Sequence, residues 1–109
     1  MIEALEEEGL AGKIPVVGQD AELEGVRRIV EGTQSMTVYK SIKSLTQQTA
    51  EIAVKMAAGE EIYTSTTLNN GKKNVPTVLL RPVAVNKDNI QETVIQDDYH
   101  SKEDIYAVD

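Results

Sequence analysis

At 109 residues, the chain has room for one small domain or a piece of a larger one, with a thin margin for a buried core. Its net charge of −7 argues against nucleic acid and against an anionic membrane surface, since both demand clustered Lys and Arg, and it serves solubility instead. Without Cys, the chain forms neither disulfides nor thiolate metal sites.

Zero Cys fits an export route. No apolar run approaches the roughly 20 residues of a membrane span. The opening Met1-Ile2-Glu3-Ala4-Leu5 lacks the basic start and apolar stretch of a signal peptide, so any export signal is expected upstream. All the aromatics are tyrosines: Tyr39, Tyr63, Tyr99 and Tyr106. Large rings dominate most cores and sugar-stacking surfaces. Their scarcity suggests that such surfaces lie in residues not present here.

Residues 1–8 read as the last turns of a helix, with Gly9 as its stop. The run Glu6-Glu7-Glu8 reads as a solvated face, because consecutive helical carboxylates diverge and the C-terminal dipole disfavours anions. Residues 9–14 form a loop, and 15–18 a short buried strand. Gln19-Asp20 then turns into a helix over 21–31, whose Leu23, Val26, Ile29 and Val30 form one apolar face. Gly32 ends it, and the β-forming stretch 34–39 reads as a strand.

The strongest helical pattern covers 41–58, with Ile42, Leu45, Thr49, Ile52, Ala53 and Met56 in register, Ser41 as N-cap and Gly59 as stop. Strand and helix alternate up to this point, which implies a parallel sheet with crossover helices. Residues 63–68 read as extended, Asn69-Asn70-Gly71 as a turn, and 77–85 as an extended run that Pro82 confines to an edge, a bend or a crossing between lobes. The polar, acidic stretch 86–109 is expected along the surface, with short helical pieces near 89–94 and 101–107.

Two corners carry the chemistry. Each apolar run, Pro15-Val16-Val17-Gly18-Gln19-Asp20 and Met36-Thr37-Val38-Tyr39-Lys40, ends in a charged residue just before a helix. Ligands of parallel α/β folds bind outside the carboxyl ends of strands. Asp20 there is either a helix N-cap or a carboxylate accepting from two adjacent hydroxyls. Lys40 opposes the dipole of the helix it precedes, which invites a functional explanation beside that of a lysine in solvent. Gln19 could donate and accept at the same rim, or simply be a polar loop residue. Tyr39 is expected to pack beneath. His100, the lone His, reads as a solvated tail residue rather than a metal ligand beside Asp97 and Asp98, and Arg27 and Arg28 as a surface face. No catalytic motif is present, and neither a cofactor nor a metal is expected.

Three segments resemble the xylose-binding proteins of bacterial ABC importers, within the type I periplasmic sugar-binding protein family. They are residues 8–20 (EGLAGKIPVVGQD), 28–40 (RIVEGTQSMTVYK) and 66–76 (TTLNNGKKNVP). The likeness runs through nearly the whole chain and is weakest after Tyr99. It implies an α/β fold: the parallel-sheet C-terminal portion of a two-lobed type I periplasmic binding protein, incomplete on its own. Residues 1–39 would end the C-terminal lobe, 40–79 would return to the N-terminal lobe, and 80–109 would make the last hinge crossing and a tail on the C-terminal lobe.

The resemblance also assigns sugar contacts to Asp20 and Lys40, through the G-Q-D and T-V-Y-K motifs. Ser41 stands where relatives often carry Pro, and either residue can start a helix. The implied function is capture of D-xylose or a similar aldopyranose by lobe closure, with delivery to an ABC permease. The implied setting is extracytoplasmic, and the rest of the binding protein is a required partner. An alternative of the same fold is a sugar sensor that signals to a membrane kinase or chemoreceptor. A repressor effector domain would need an upstream helix-turn-helix, and an enzyme would rest only on Asp20, Lys40 and His100 coexisting.

Overall fold

The computed structural model describes residues 1–107. Within them the chain forms two compact units, one built from Met1–Ser41 with the segment beginning at Pro82, the other from Ile42–Arg81.

The first unit holds a three-stranded sheet whose strands, in spatial order, are Val17–Gln19 (β1), Met36–Tyr39 (β2) and Val83–Val85 (β5). β1 (Val17–Gln19) and β2 (Met36–Tyr39) run parallel, with Val17 opposite Met36 and Gln19 opposite Val38. A parallel pair needs a crossover, and α2 (Leu23–Glu31) supplies it. Val26 and Ile29 of α2 are buried, with Leu23 and Val30 packed beside them, as the helical spacing requires. Gly32, at φ 90°, stops the helix in the left-handed conformation, its N–H donating to the carbonyls of Arg28 and Ile29. A short helix α1 (Ile2–Glu7) precedes β1, and Gly9 follows it at φ 65°.

The β1–β2 pair is parallel as the strand–helix alternation implies, and the Pro82 run adds an edge strand of opposite direction. β5 (Val83–Val85) joins β2 antiparallel, with Thr37 opposite Val85 and Tyr39 opposite Val83. Pro82 precedes this strand, where its missing N–H removes no ladder bond. The first strand is also less buried than its apolar run suggests: Val16 is buried, but its neighbour Val17, which faces the other side of the sheet, is 59% exposed.

The tail supplies core rather than surface, contrary to its polar composition. Ile90, Val94 and Ile105 are buried in one cluster with Val26, Ile29, Tyr39 and Val85. A π-helical turn, Gln91–Ile95, places Val94, and its wide pitch shows in the N–H of Ile95 donating to the Ile90 carbonyl. α4 (Lys102–Tyr106) then packs against α2. Its N-cap is Ser101, whose hydroxyl accepts from the Asp104 N–H at 3.0 Å. Arg27, expected on an open face, reaches across to donate to the Asp104 carbonyl at 2.8 Å.

The second unit comprises α3 (Ile42–Ala57) and a hairpin of β3 (Thr66–Asn69) with β4 (Asn74–Thr77). Gly59, at φ 71°, ends the helical run. In the hairpin loop the Asn69 side-chain carbonyl accepts from Gly71 N–H, and that of Asn70 from Lys72 and Lys73 N–H, so the Asn-Asn-Gly turn builds its own scaffold. No residue of α3 is buried, and Ile42, Leu45, Val54 and Met56 are all more than half exposed. No helix among the described residues is long and apolar enough to cross a membrane.

These environments predict opposite responses to truncation. Ile90→Ala should cost about 2–5 kcal/mol of stability, whereas Val54→Ala on the open face of α3 should stay within about 0.5 kcal/mol. Urea denaturation measures both. A midpoint unmoved by Ile90→Ala would place the tail outside the core.

Candidate functional site

Parallel strands finish on the same edge, so the ends of β1 and β2 bring Asp20 and Lys40 together. Lys40 Nζ lies 2.8 Å from Asp20 Oδ1. The two side chains are 56% and 54% exposed, respectively. An ion pair this open contributes at most about 1 kcal/mol to stability. Its groups therefore remain available to exchange part of their mutual bonding for a ligand.

Asp20 is not the helix N-cap. That position belongs to Glu22, and α2 begins only at Leu23, because Asp20 still belongs to the sheet edge. Its N–H donates to the Val38 carbonyl at 2.8 Å, adding one rung to the β1–β2 ladder. Its own carbonyl accepts from the buried Thr37 hydroxyl at 2.6 Å. Between these two bonds the backbone turns to φ 67°, a left-handed conformation that Asp tolerates better than most residues. The strand is thus stopped at the residue whose carboxylate faces Lys40.

Beneath the site, Gly18 is needed for space. A Cβ there would lie 2.5 Å from Gln34 Nε2 and 3.1 Å from Thr37 Oγ1. Gln34 is buried, and its amide donates to the Met36 carbonyl at 3.1 Å. The glycine lets these two polar side chains lie against β1 and fix its end. Gln19, the last residue of β1, is exposed beside Asp20.

Lys40 is held on the other side. Tyr39 is buried, as strand alternation predicts, and its ring centroid lies 5.3 Å from that of Tyr99. The Tyr39 hydroxyl donates to Asp97 Oδ2 at 3.1 Å, and the Ser41 hydroxyl donates to the same oxygen at 2.5 Å. His100 is not a free tail residue: its Nε2 lies 2.6 Å from the Ala21 carbonyl, and its ring meets Tyr99 edge-on. Thr37 and Gln34 were not singled out in the sequence, and Asp97 was weighed only as an acidic neighbour of His100. Alternation along β2 could have placed Thr37 inward, but nothing local signals Asp97, which lies 58 residues from Tyr39. Among the described residues no group of three or more His, Cys, Asp or Glu is arranged to hold a metal ion.

The periplasmic binding protein domain model matches residues 1–61. The chain is 54% identical over 105 residues to the D-xylose-binding periplasmic protein of Haemophilus influenzae, covering 96% of this chain and 32% of that protein. It is 52% identical over 104 residues to the D-xylose-binding periplasmic protein of Escherichia coli, covering 95% and 32%. Among solved structures, it resembles a carbohydrate transporter solute-binding protein from Chloroflexus aurantiacus in complex with D-glucose. That match has a TM-score of 0.72 at 39% identity and covers 82% of this chain and 26% of the other. The chain therefore spans about a third of the length of these curated relatives.

Burial raises the pKa of the Tyr39 phenol above its ordinary 10.0; the Ser41 hydrogen bond opposes that shift, and the hydrogen bond and charge of Asp97 add to it. A raised folded-state pKa favours the neutral phenol in the fold. That contribution to stability is complete below about pH 10 and is lost as pH rises through the folded value. Thermal melts across this alkaline window should show a smaller loss for Tyr39→Phe than for the parent chain. At neutral pH the same variant should cost about 1 kcal/mol for its missing hydrogen bond. Equal alkaline losses would remove Tyr39 as the titrating group.

Proposed function

The chain belongs to the periplasmic binding protein family, and on that premise we propose that it forms part of a solute-binding protein for D-xylose or a similar aldopyranose. The sugar is bound without chemical change, outside the cytoplasmic membrane, and passed to an ABC permease. The observation that carries this reading is the Asp20–Lys40 pair at the carboxyl ends of adjacent parallel strands.

The pair suits a neutral polyol. Lys40 spends one N–H on Asp20 Oδ1 and keeps two donors, while Asp20 keeps its second oxygen as an acceptor. One sugar hydroxyl can accept from the ammonium and donate to the carboxylate, and its neighbour can donate to the carboxylate again. Such charge-assisted bonds are the strong ones. Gln19, exposed next to Asp20, is a weaker third contact at the rim.

In this reading residues 1–39 belong to one lobe, 40–79 to the other, and 80–109 to the final crossing and tail. The division of the chain after Ser41 and after Arg81 supports that assignment. A sugar site encloses most of its ligand, and two polar residues on an open edge do not. The relatives are three times as long, and the remaining segments of the protein supply the other wall. Those segments also cover the apolar side of α3, where a groove of about 680 Å³ is lined by Ile52, Met56, Ile62, Pro76 and Val78.

Calorimetric titration of D-xylose into the whole protein, this chain with the segments that complete its lobes, tests the reading. Asp20→Ala should weaken binding by about 2 kcal/mol or more, as for a buried hydrogen bond to a charged group. Unchanged affinity would remove Asp20 from the site.

A further inference from the structure

One carboxylate grips both neighbours of Lys40. The Tyr39 and Ser41 hydroxyls donate to the same oxygen, Asp97 Oδ2, at 3.1 Å and 2.5 Å. In an extended chain alternate side chains share a face. Tyr39 and Ser41 share one here, since they meet at one atom, and the residue between them is turned to the opposite face.

The grip is itself anchored. Asp97 lies two residues past the π-helical turn, whose Val94 is fully buried, and its N–H donates to the Thr93 carbonyl at 3.0 Å. Tyr99, two residues on, packs its ring against Tyr39. Tyr39 in turn pairs with Val83 of β5. The carboxylate is therefore mounted on the core, while the Lys40 side chain is more than half exposed.

A lysine stem has many rotamers to lose when its ammonium is held in one place. Little restrains the far end of such a side chain except its ion pair, so accuracy at the ammonium depends on where the backbone starts it. Small misplacements of a polar group weaken its hydrogen bonds steeply.

We propose that Asp97 is a positioning residue for sugar binding: by pinning Tyr39 and Ser41 to one oxygen, it aims Lys40 at Asp20 and at the ligand. This rests on the reading that Lys40 and Asp20 hold the sugar. Asp97 itself touches no ligand, and its effect passes through Lys40.

The test is a double-mutant cycle read by D-xylose calorimetry on the whole protein. Asp97→Ala should weaken affinity about tenfold. Asp97→Asn should retain most of it, because both donors use one oxygen and an amide carbonyl can take its place. Ser41→Ala, which removes one of the two bonds without touching the core, should weaken affinity by a few-fold and keeps the test open if Asp97→Ala folds poorly. In a Lys40→Met background, neither Asp97→Ala nor Ser41→Ala should weaken affinity further. Equal losses with and without Lys40 would show that Asp97 acts independently of it and would overturn the proposal. So would wild-type affinity in both Asp97→Ala and Ser41→Ala. If Lys40→Met alone leaves affinity unchanged, the sugar-site reading itself fails, and this inference falls with it.

Discussion

Everything at the candidate site depends on β1 and β2 running parallel. Parallel neighbours end on one edge, so residues just past their last rungs become neighbours in space although they are far apart in sequence. Antiparallel pairing would have put Asp20 and Lys40 at opposite ends. The pairing is not left to the ladder alone, which is short: three paired residues, extended by the Asp20 N–H. It is locked by a buried hydroxyl. Thr37 sits in the middle of the sheet and donates to the Asp20 carbonyl, so the end of one strand is tied to the interior of the other. A buried hydroxyl without a partner costs about 1–3 kcal/mol, and the positive φ of Asp20 carries a cost of its own. The same bond relieves the first and holds the second in place.

The balance between the buried and exposed charged groups gives each a different task. Asp97 meets two hydroxyls in a partly buried setting, where hydrogen bonds gain strength from the lower local dielectric. Asp20 and Lys40 meet each other in the open, where solvent screens them and the pair adds little to the fold. A pair that stabilised the fold strongly would resist sharing its donors and acceptors with a ligand. One that is half solvated gives them up cheaply. Rigidity therefore comes from beneath the site, through Thr37, Gln34, Tyr39 and Asp97, and exchangeability from its rim.

Much of this was legible in the sequence because the signals were local. Helical spacing marked the buried side of α2, Gly32 and Gly59 marked helix ends, Asn-Asn-Gly marked the hairpin turn, and strand alternation sent Tyr39 inward. The two charged corners were visible because ligand sites follow parallel strand ends. What failed was non-local. Asp20 looked like an N-cap because a helix follows it, but strand pairing kept it in the sheet and moved the cap to Glu22. The run holding β5 read only as an edge, a bend or a crossing, and its direction could not be read locally, because it is set by where the chain returns after an excursion of more than forty residues. The polar tail looked like surface because its apolar residues are sparse. Ile90, Val94 and Ile105 are nevertheless spaced by a π-helical turn and a short helix so that each meets α2 or the sheet, and no fixed period announces that.

The tail explains why the first unit has a core at all. The apolar faces of α2 and of a three-stranded sheet need cover, and few aromatic side chains are available to fill the space. Ile90, Val94 and Ile105 close that core, and Tyr39 and Tyr99 add the only large ring pair in it among the described residues. The second unit has nothing comparable, since its helix buries no residue and its hairpin is half solvated. The residues that finish the core are also the residues that carry Asp97. The segment whose Val94 closes the core thus also carries the carboxylate that accepts from the hydroxyls on either side of Lys40.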